Sequence, residues 1–272
     1  MNYTHKNGTT IQVGYRSPGL SAELSPEQKM ELAAELGMSV IEPQYAAREF
    51  PDFDAAEAYK AAADKACIDI KTAGTILNPV ATDSAEVLDK GIENTIRFAK
   101  ILDVQYIFTC MEHPPEEVPQ PHSWKLAIDN LRRIADRLGE AGITLALEPE
   151  WFVGTVERMQ RLYRLLERDS VRINYDPTNF YVYGSDPLDA LDVFPGLISS
   201  GHVKDAIYQT KRRKEVPVGT GEVDYSTIFR EIFKRKLSLT LHIEHCSASD
   251  QVRAAAKAID PVIRAAMEDV PA

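Results

Sequence analysis

The chain has 272 residues, 44% of them hydrophobic, and a formal net charge of −10. That length and apolar content support one large core, while the acidic balance opposes nucleic-acid binding, which needs a basic footprint to displace counterions. No apolar run approaches the ~20 residues of a membrane span, and the opening MNYTHKNGTT lacks the apolar centre of a signal peptide. The expectation is a cytoplasmic protein with no membrane partner, residues 1–9 forming a flexible tail. Cys67, Cys110 and Cys246 are odd in number and show no CxxC spacing, so neither a disulfide framework nor a zinc–thiolate site is indicated.

In chain order, segments of β character alternate with amphipathic helical ones. Strands are predicted over 11–17 (IQVGYRS), 39–43 (SVIEP), 68–74 (IDIKTAG) and 104–110 (VQYIFTC). Four more follow at 143–149 (ITLALEP), 171–177 (VRINYDP), 198–205 (ISSGHVKD) and 239–245 (LTLHIEH). Ser25-Pro26-Glu27-Gln28 joins an N-cap, a proline at the first helical position and a capping-box glutamine. ELGMSV and LGEAGI place glycine where helices hand over to strands. Asp186-Pro187 opens another helix, and Asp224 caps YSTIFREIF. Pro261 interrupts AAAKAIDPVIRAAM, so the last helix is expected to be kinked or double.

Eight β-then-α units with short connections and no linker predict a single (β/α)8 barrel over residues 1–272. A doubly wound open sheet competes, but no glycine-rich loop follows the first strand. Side-chain parity sharpens the reading, because alternate strand residues face opposite sides. Thr144, Ala146 and Glu148 share one face, as do Arg172, Asn174 and Asp176. Thr240, His242 and Glu244 form a third set, and Ser200, His202 and Lys204 a fourth. With the apolar faces turned to the helices, Glu148, Asp176, His202 and Glu244 point into the barrel at the C-terminal strand ends, where barrel enzymes place their chemistry.

Three carboxylates crowded together without counter-charge repel until one is driven neutral. A divalent cation removes that conflict. An oxygen-rich set with one imidazole suits Mn²⁺ as first choice, with Mg²⁺, Co²⁺ or Zn²⁺ as alternatives. Singly, each residue has an ordinary reading. Glu148 can be a strand end meeting water, Asp176 an Asp-Pro turn, His202 a satisfied barrel histidine and Glu244 an ion-pair partner. Parity, position and ligand type agree on a metal site.

The motifs LALEPE, INYDPTN, GHVKD, VPVGTGEVDY and LHIEH, in that order, resemble those of the xylose-isomerase-like sugar isomerases and epimerases, nearest the ketose 3-epimerases of the D-tagatose and L-ribulose type. In strand order and length the resemblance spans nearly the whole chain, with the specific motifs between 143 and 245. It implies a (β/α)8 barrel and a divalent metal held by Glu148, Asp176, His202 and Glu244. It also implies that Glu148 and Glu244 act as acid and base on opposite faces of a small carbohydrate. The reaction so implied moves a proton at the carbon next to a ketose carbonyl through a metal-stabilised enediolate. Return to the opposite face inverts the centre, and return to the neighbouring carbon isomerises the sugar. Relatives of this kind are often dimers or tetramers, so a homo-dimer or homo-tetramer is expected.

The chain departs from the ketose 3-epimerase pattern at two places. The histidine found three residues after the metal-binding aspartate is Asn179, whose amide can bond a sugar hydroxyl but cannot share a proton at neutral pH. The arginine after the metal histidine falls on Tyr208; Arg212 or Arg213 in QTKRRKE are the candidates to replace it, against a simpler reading of that run as a solvated loop. Further candidate substrate contacts are Trp151, Lys204, Glu42 and His113, while Glu150 reads as a bystander bent away by Pro149. The GTG of 219–221 has neither phosphate-loop nor dinucleotide spacing and reads as a turn before a helix. Three rivals stand beside the isomerase. One is a lyase or dehydratase using the same enediolate. Another is an endonuclease IV-like phosphodiesterase, opposed by the acidic balance and by only six histidines. The last is a barrel that binds a sugar without turning it over.

Overall fold

The computed structural model describes residues 1–80, 84–113, 120–209 and 212–271. Strand β1 (Asn2–Thr4) lies antiparallel on the start of β2 (Thr10–Arg16). Residues 1–9 are therefore not the flexible tail expected from their polar character. Tyr3, His5 and Thr9 are buried, and the Tyr3 hydroxyl donates to Asp260 Oδ1 at 2.7 Å. An open edge of ladder groups on β2 and an apolar seat for the Tyr3 ring supply what a free tail lacks.

Helix α1 (Pro26–Glu35) opens with the predicted capping box, Ser25 Oγ accepting from the Gln28 amide and Gln28 Oε1 from the Ser25 amide. The single strand predicted over 39–43 is two, β3 (Ile41–Glu42) and β4 (Gln44–Tyr45). Pro43 between them has no N–H to give a ladder. β3 pairs with β2, whereas β4 pairs with β5 (Thr72–Thr75), which follows α2 (Phe53–Ala66).

Helices and strands then alternate: α3 (Ala85–Leu102), β6 (Tyr106–Thr109), α4 (Gln120–Glu140), β7 (Thr144–Leu147), α5 (Val156–Leu166) and β8 (Arg172–Tyr175). Two short helices, α6 (Pro177–Val182) and α7 (Pro187–Val193), lead into β9 (Ile198–Val203). The basic run expected as a solvated loop belongs instead to an antiparallel hairpin, β10 (Asp205–Gln209) with β11 (Arg212–Val216). Ile207, Tyr208 and Val216 give that hairpin its β character. α8 (Tyr225–Lys234), β12 (Leu239–Ile243) and α9 (Ser249–Asp269) complete the chain. α9 runs as one helix through Pro261, because its buried stripe of Val252, Ala255, Ala256, Ile259, Ile263 and Ala266 continues across the proline.

The barrel strands pair in parallel in the order β2, β12, β9, β8, β7, β6, β5, β4, and β3 on β2 closes the ring. Leu145, Ile173, Leu241 and Ile243 pack outward into a core shared with Phe229, Phe233 and Ile259 of the helices. The opposite faces fill the barrel with polar groups that satisfy one another. Thr72 donates to Glu42, Ser200 donates to Asn174, and His242 lies against Glu42. Strand parity reads as predicted.

Candidate metal centre

Four strand ends build the site. The Glu148 amide, just past β7, donates to Thr109 O at 3.0 Å, and the Glu244 amide, just past β12, donates to Val203 O at 2.9 Å. Asp176 caps α6: its Oδ1 accepts from the Asn179 amide at 2.8 Å, which turns Oδ2 toward the other acidic groups. His202 lies within β9. One donor atom from each of Glu148, Asp176, His202 and Glu244 lies within 4.8 Å of the others, and all four residues are buried.

The donor set fits a divalent ion. His202 Nδ1 is 3.1 Å from Glu148 Oε1, 3.6 Å from Glu244 Oε2 and 4.0 Å from Asp176 Oδ2. A shell with metal–oxygen distances of about 2.1 Å has edges of about 3 Å and diagonals of about 4.2 Å, which brackets those spacings. Asp176 Oδ2 is buried, and the Lys204 ammonium stands 2.8 Å from it. Such an oxygen is suited to a cation.

Lys204 supplies positive charge in the same place. Its Nζ is 2.8 Å from Asp176 Oδ2, 2.8 Å from Glu244 Oε2 and 3.8 Å from Glu148 Oε1. Burial pushes all three carboxyls upward. For Glu244, the charges of Lys204, His202 and Arg16 overcome that and hold it well below the usual carboxylate range. His202 and Lys204 lower Glu148 as well, against the repulsion of Glu244. At Asp176 burial prevails over Lys204, and its carboxyl is raised. Burial disfavours a charged His202, but Glu148, Glu244 and Glu42 raise it well above the ordinary imidazole value.

Several predicted contacts are placed differently by the structure. Glu42, expected in the pocket, is fully buried behind His202 and accepts from its Nε2 at 2.8 Å. The break at Pro43 turns it inward. Asn179 is likewise buried and donates from Nδ2 to Glu148 Oε1 at 3.0 Å, so it faces a carboxylate and not the open cavity. His113, expected to line the pocket, is exposed beyond the end of β6. Arg212 opens β11, but its side chain, like that of Arg213, lies outside the described residues.

A cavity of about 690 Å³ opens onto the cluster, a volume suited to a small ligand. Glu148, Glu244, Lys204, Trp151, Glu150 and Arg16 are among its lining residues. Glu150, read as a bystander, thus stands at the cavity wall. Arg16 is a residue that sequence reasoning missed. It ends β2, lies 3.0 Å from Glu42 Oε1 through Nε, pairs with Glu244 through a terminal nitrogen and rests 5.0 Å over the Phe108 ring. The parity rule used for the other strands finds it, since Gly14 and Arg16 share the inward face of β2.

Fold and site together define a (β/α)8 barrel with a buried cluster of carboxylates and one imidazole at the C-terminal mouth of its strands. The model of the xylose isomerase-like TIM barrel family matches residues 30–265, and the chain belongs to that family. A probable L-ribulose-5-phosphate 3-epimerase, UlaE, of Mycoplasma pneumoniae is 26% identical over 125 residues, which are 45% of this chain and 40% of that protein. Among solved structures, an L-ribulose 3-epimerase superposes with a TM-score of 0.76 at 16% identity, covering 95% of this chain and 96% of its own. The probable 3-DHS dehydratase AsbF of Bacillus anthracis superposes with a TM-score of 0.77 at 17% identity, covering 91% and 98%. Those identities speak for the fold. No described helix is long and apolar enough to cross a membrane.

Proposed function

We propose that the chain is a divalent-metal-dependent carbohydrate epimerase or isomerase that moves a proton at the carbon next to a ketose carbonyl. The observation that carries this reading is that Glu148 and Glu244, from β7 and β12, border one cavity and belong to one ion-sized donor cluster. Glu148, Asp176, His202 and Glu244 would hold the ion, with Mn²⁺ the first choice. A bound divalent ion supplies the positive charge that an enediolate needs as the carbon acid loses its proton. Glu148 and Glu244 are the acid and base. Removal of the proton by one and delivery of another by its protonated partner to the opposite face gives the epimer, and delivery to the adjacent carbon gives the isomer.

The remaining residues orient and enclose. Asn179 fixes the Glu148 carboxylate through its amide, and Arg16 fixes Glu244. Trp151 offers an apolar wall for a sugar ring, and Lys204 a donor for a substrate oxygen. A cytoplasmic homo-oligomer with a small carbohydrate substrate completes the reading, and light scattering measures the assembly.

The test is solvent-hydrogen exchange. With Mn²⁺ and a panel of ketoses, keto-acids and sugar phosphates in heavy water, deuterium should enter next to the carbonyl. Glu148→Gln and Glu244→Gln should each slow that uptake by about 10²–10⁴-fold. No uptake across the panel with metal bound excludes the epimerase reading, and loss of water from a substrate assigns a dehydratase instead.

A further inference from the structure

We propose that Glu42 is a positioning residue for the metal centre, fixing which nitrogen of His202 faces the ion and, through Arg16, the placement of Glu244. The inference rests on the metal reading above. Glu42 is fully buried at the end of β3, and its two oxygens have separate duties. Oε1 accepts from His202 Nε2 at 2.8 Å and lies 3.0 Å from Arg16 Nε. Oε2 accepts from Thr72 Oγ1 at 2.5 Å and lies 3.2 Å from His242 Nδ1.

An imidazole that gives its Nε2 proton to a carboxylate presents Nδ1 as the ligand atom. In this chain Nδ1 is the nitrogen turned to Glu148 and Glu244, at 3.1 Å and 3.6 Å. Arg16 carries the second duty. Its planar guanidinium spans from Glu42 to Glu244 and is backed by the Phe108 ring, so the two carboxylates are held at a set separation. One carboxylate on β3 therefore ties together residues of β2 and β9 and the one that follows β12. A neutral side chain of the same shape takes away the charge that accepts from His202 Nε2 and leaves Arg16 with Glu244 alone.

Metal titration separates this role from simple packing. Mn²⁺ binding is measured by calorimetry, and the visible bands of bound Co²⁺ by absorption, for the wild type, Glu42→Gln and Thr72→Val. Glu42→Gln should bind Mn²⁺ about 10–100-fold more weakly and shift the Co²⁺ bands. Thr72→Val, which removes the hydrogen bond to the far oxygen and a longer contact with His242 Nδ1 at 3.5 Å, should change affinity by less than about threefold and leave the bands in place. Wild-type affinity in Glu42→Gln, or equal weakening in both variants, overturns the proposal. A wild type that binds no divalent ion overturns the metal reading itself. Should Glu42→Gln fail to fold, Arg16→Met tests the second duty: weaker Mn²⁺ binding supports it, and unchanged binding refutes it.

Discussion

The ammonium of Lys204 stands 2.8 Å from Asp176 Oδ2 and 2.8 Å from Glu244 Oε2, inside the acidic cluster. On the proposed reading, the lysine and a divalent ion would answer the same excess of negative charge. Glu148, Asp176 and Glu244 together need a cation, and without an ion Lys204 supplies it.

Lys204→Met should accordingly lower the stability of the metal-free chain by about 3 kcal/mol, the cost of breaking a buried ion pair. Added Mn²⁺ should raise the melting midpoint of the variant more than that of the wild type. Differential scanning fluorimetry with EDTA or with Mn²⁺ measures both, and equal metal-induced shifts would argue that the lysine and the ion do not share these charges.

On the proposed reading, Asn179 acts through Glu148, to which its amide donates, and not on the sugar. Replacing it with leucine removes the donor at 3.0 Å from Glu148 Oε1. Turnover should fall by about 10–100-fold, as for partners that orient a ligating carboxylate. KM should move little. Steady-state kinetics decide, and a large rise in KM at constant kcat points to direct substrate contact instead.

The GTG turn is held by one carboxylate. Asp205 Oδ2 accepts from Gly219 at 2.9 Å and from Gly221 at 2.8 Å, while Oδ1 accepts from the Ala206 amide at 3.0 Å. A Cβ on Gly221 would sit 2.0 Å from Asp205 Oδ1, so only glycine permits that approach. Asp205→Ala should cost about 2 kcal/mol in urea unfolding, because it removes a buried carboxylate that accepts from three backbone amides. Gly221→Ala should destabilise as well, by disrupting the same clamp.

Acid should loosen the first strand. Asp260 is held below the ordinary carboxylate range by the hydrogen bond from Arg264, which overcomes the upward push of burial, and the hydrogen bond from Tyr3 adds to it. A carboxyl depressed on folding contributes stability that is present above its unfolded value and lost as pH falls through the folded one. Asp260→Asn should therefore cost about 1 kcal/mol at pH 7. The deficit should shrink toward zero as the pH drops below about 4, the ordinary aspartate value. Urea midpoints of variant and wild type across pH 2–7 trace this, and a constant gap would assign the loss to packing.

Where period-2 alternation is clean, the sequence identifies both the strand and its inward residues. Glu148, Asp176, His202 and Glu244 were legible for that reason. Arg16 was legible by the same rule but passed over, because β2 carries no second ligand-type residue to draw attention. Glu42 and His113 were misplaced because both lie where strand geometry stops, one beside a proline and the other past a strand end. The docking of β1 left no local trace: Tyr3 and its partner Asp260 are 257 positions apart. In β10–β11 the long basic side chains mask the alternation.

Pro43 gives this barrel a seam. A closed sheet has no edges, yet β3 and β4 contribute only two residues each, joined to different neighbours. Backbone bonds such as Ile41 N to Asp69 O and Gly74 N to Pro43 O hold the seam, and side chains add to them. Glu42 grips from within, and from the loop Glu49 accepts from the Gln44 amide at 2.8 Å while pairing with Lys29 at 2.9 Å. Amide exchange should open first along this line, and the wall expected to unzip first is then the one whose Glu42 holds His202.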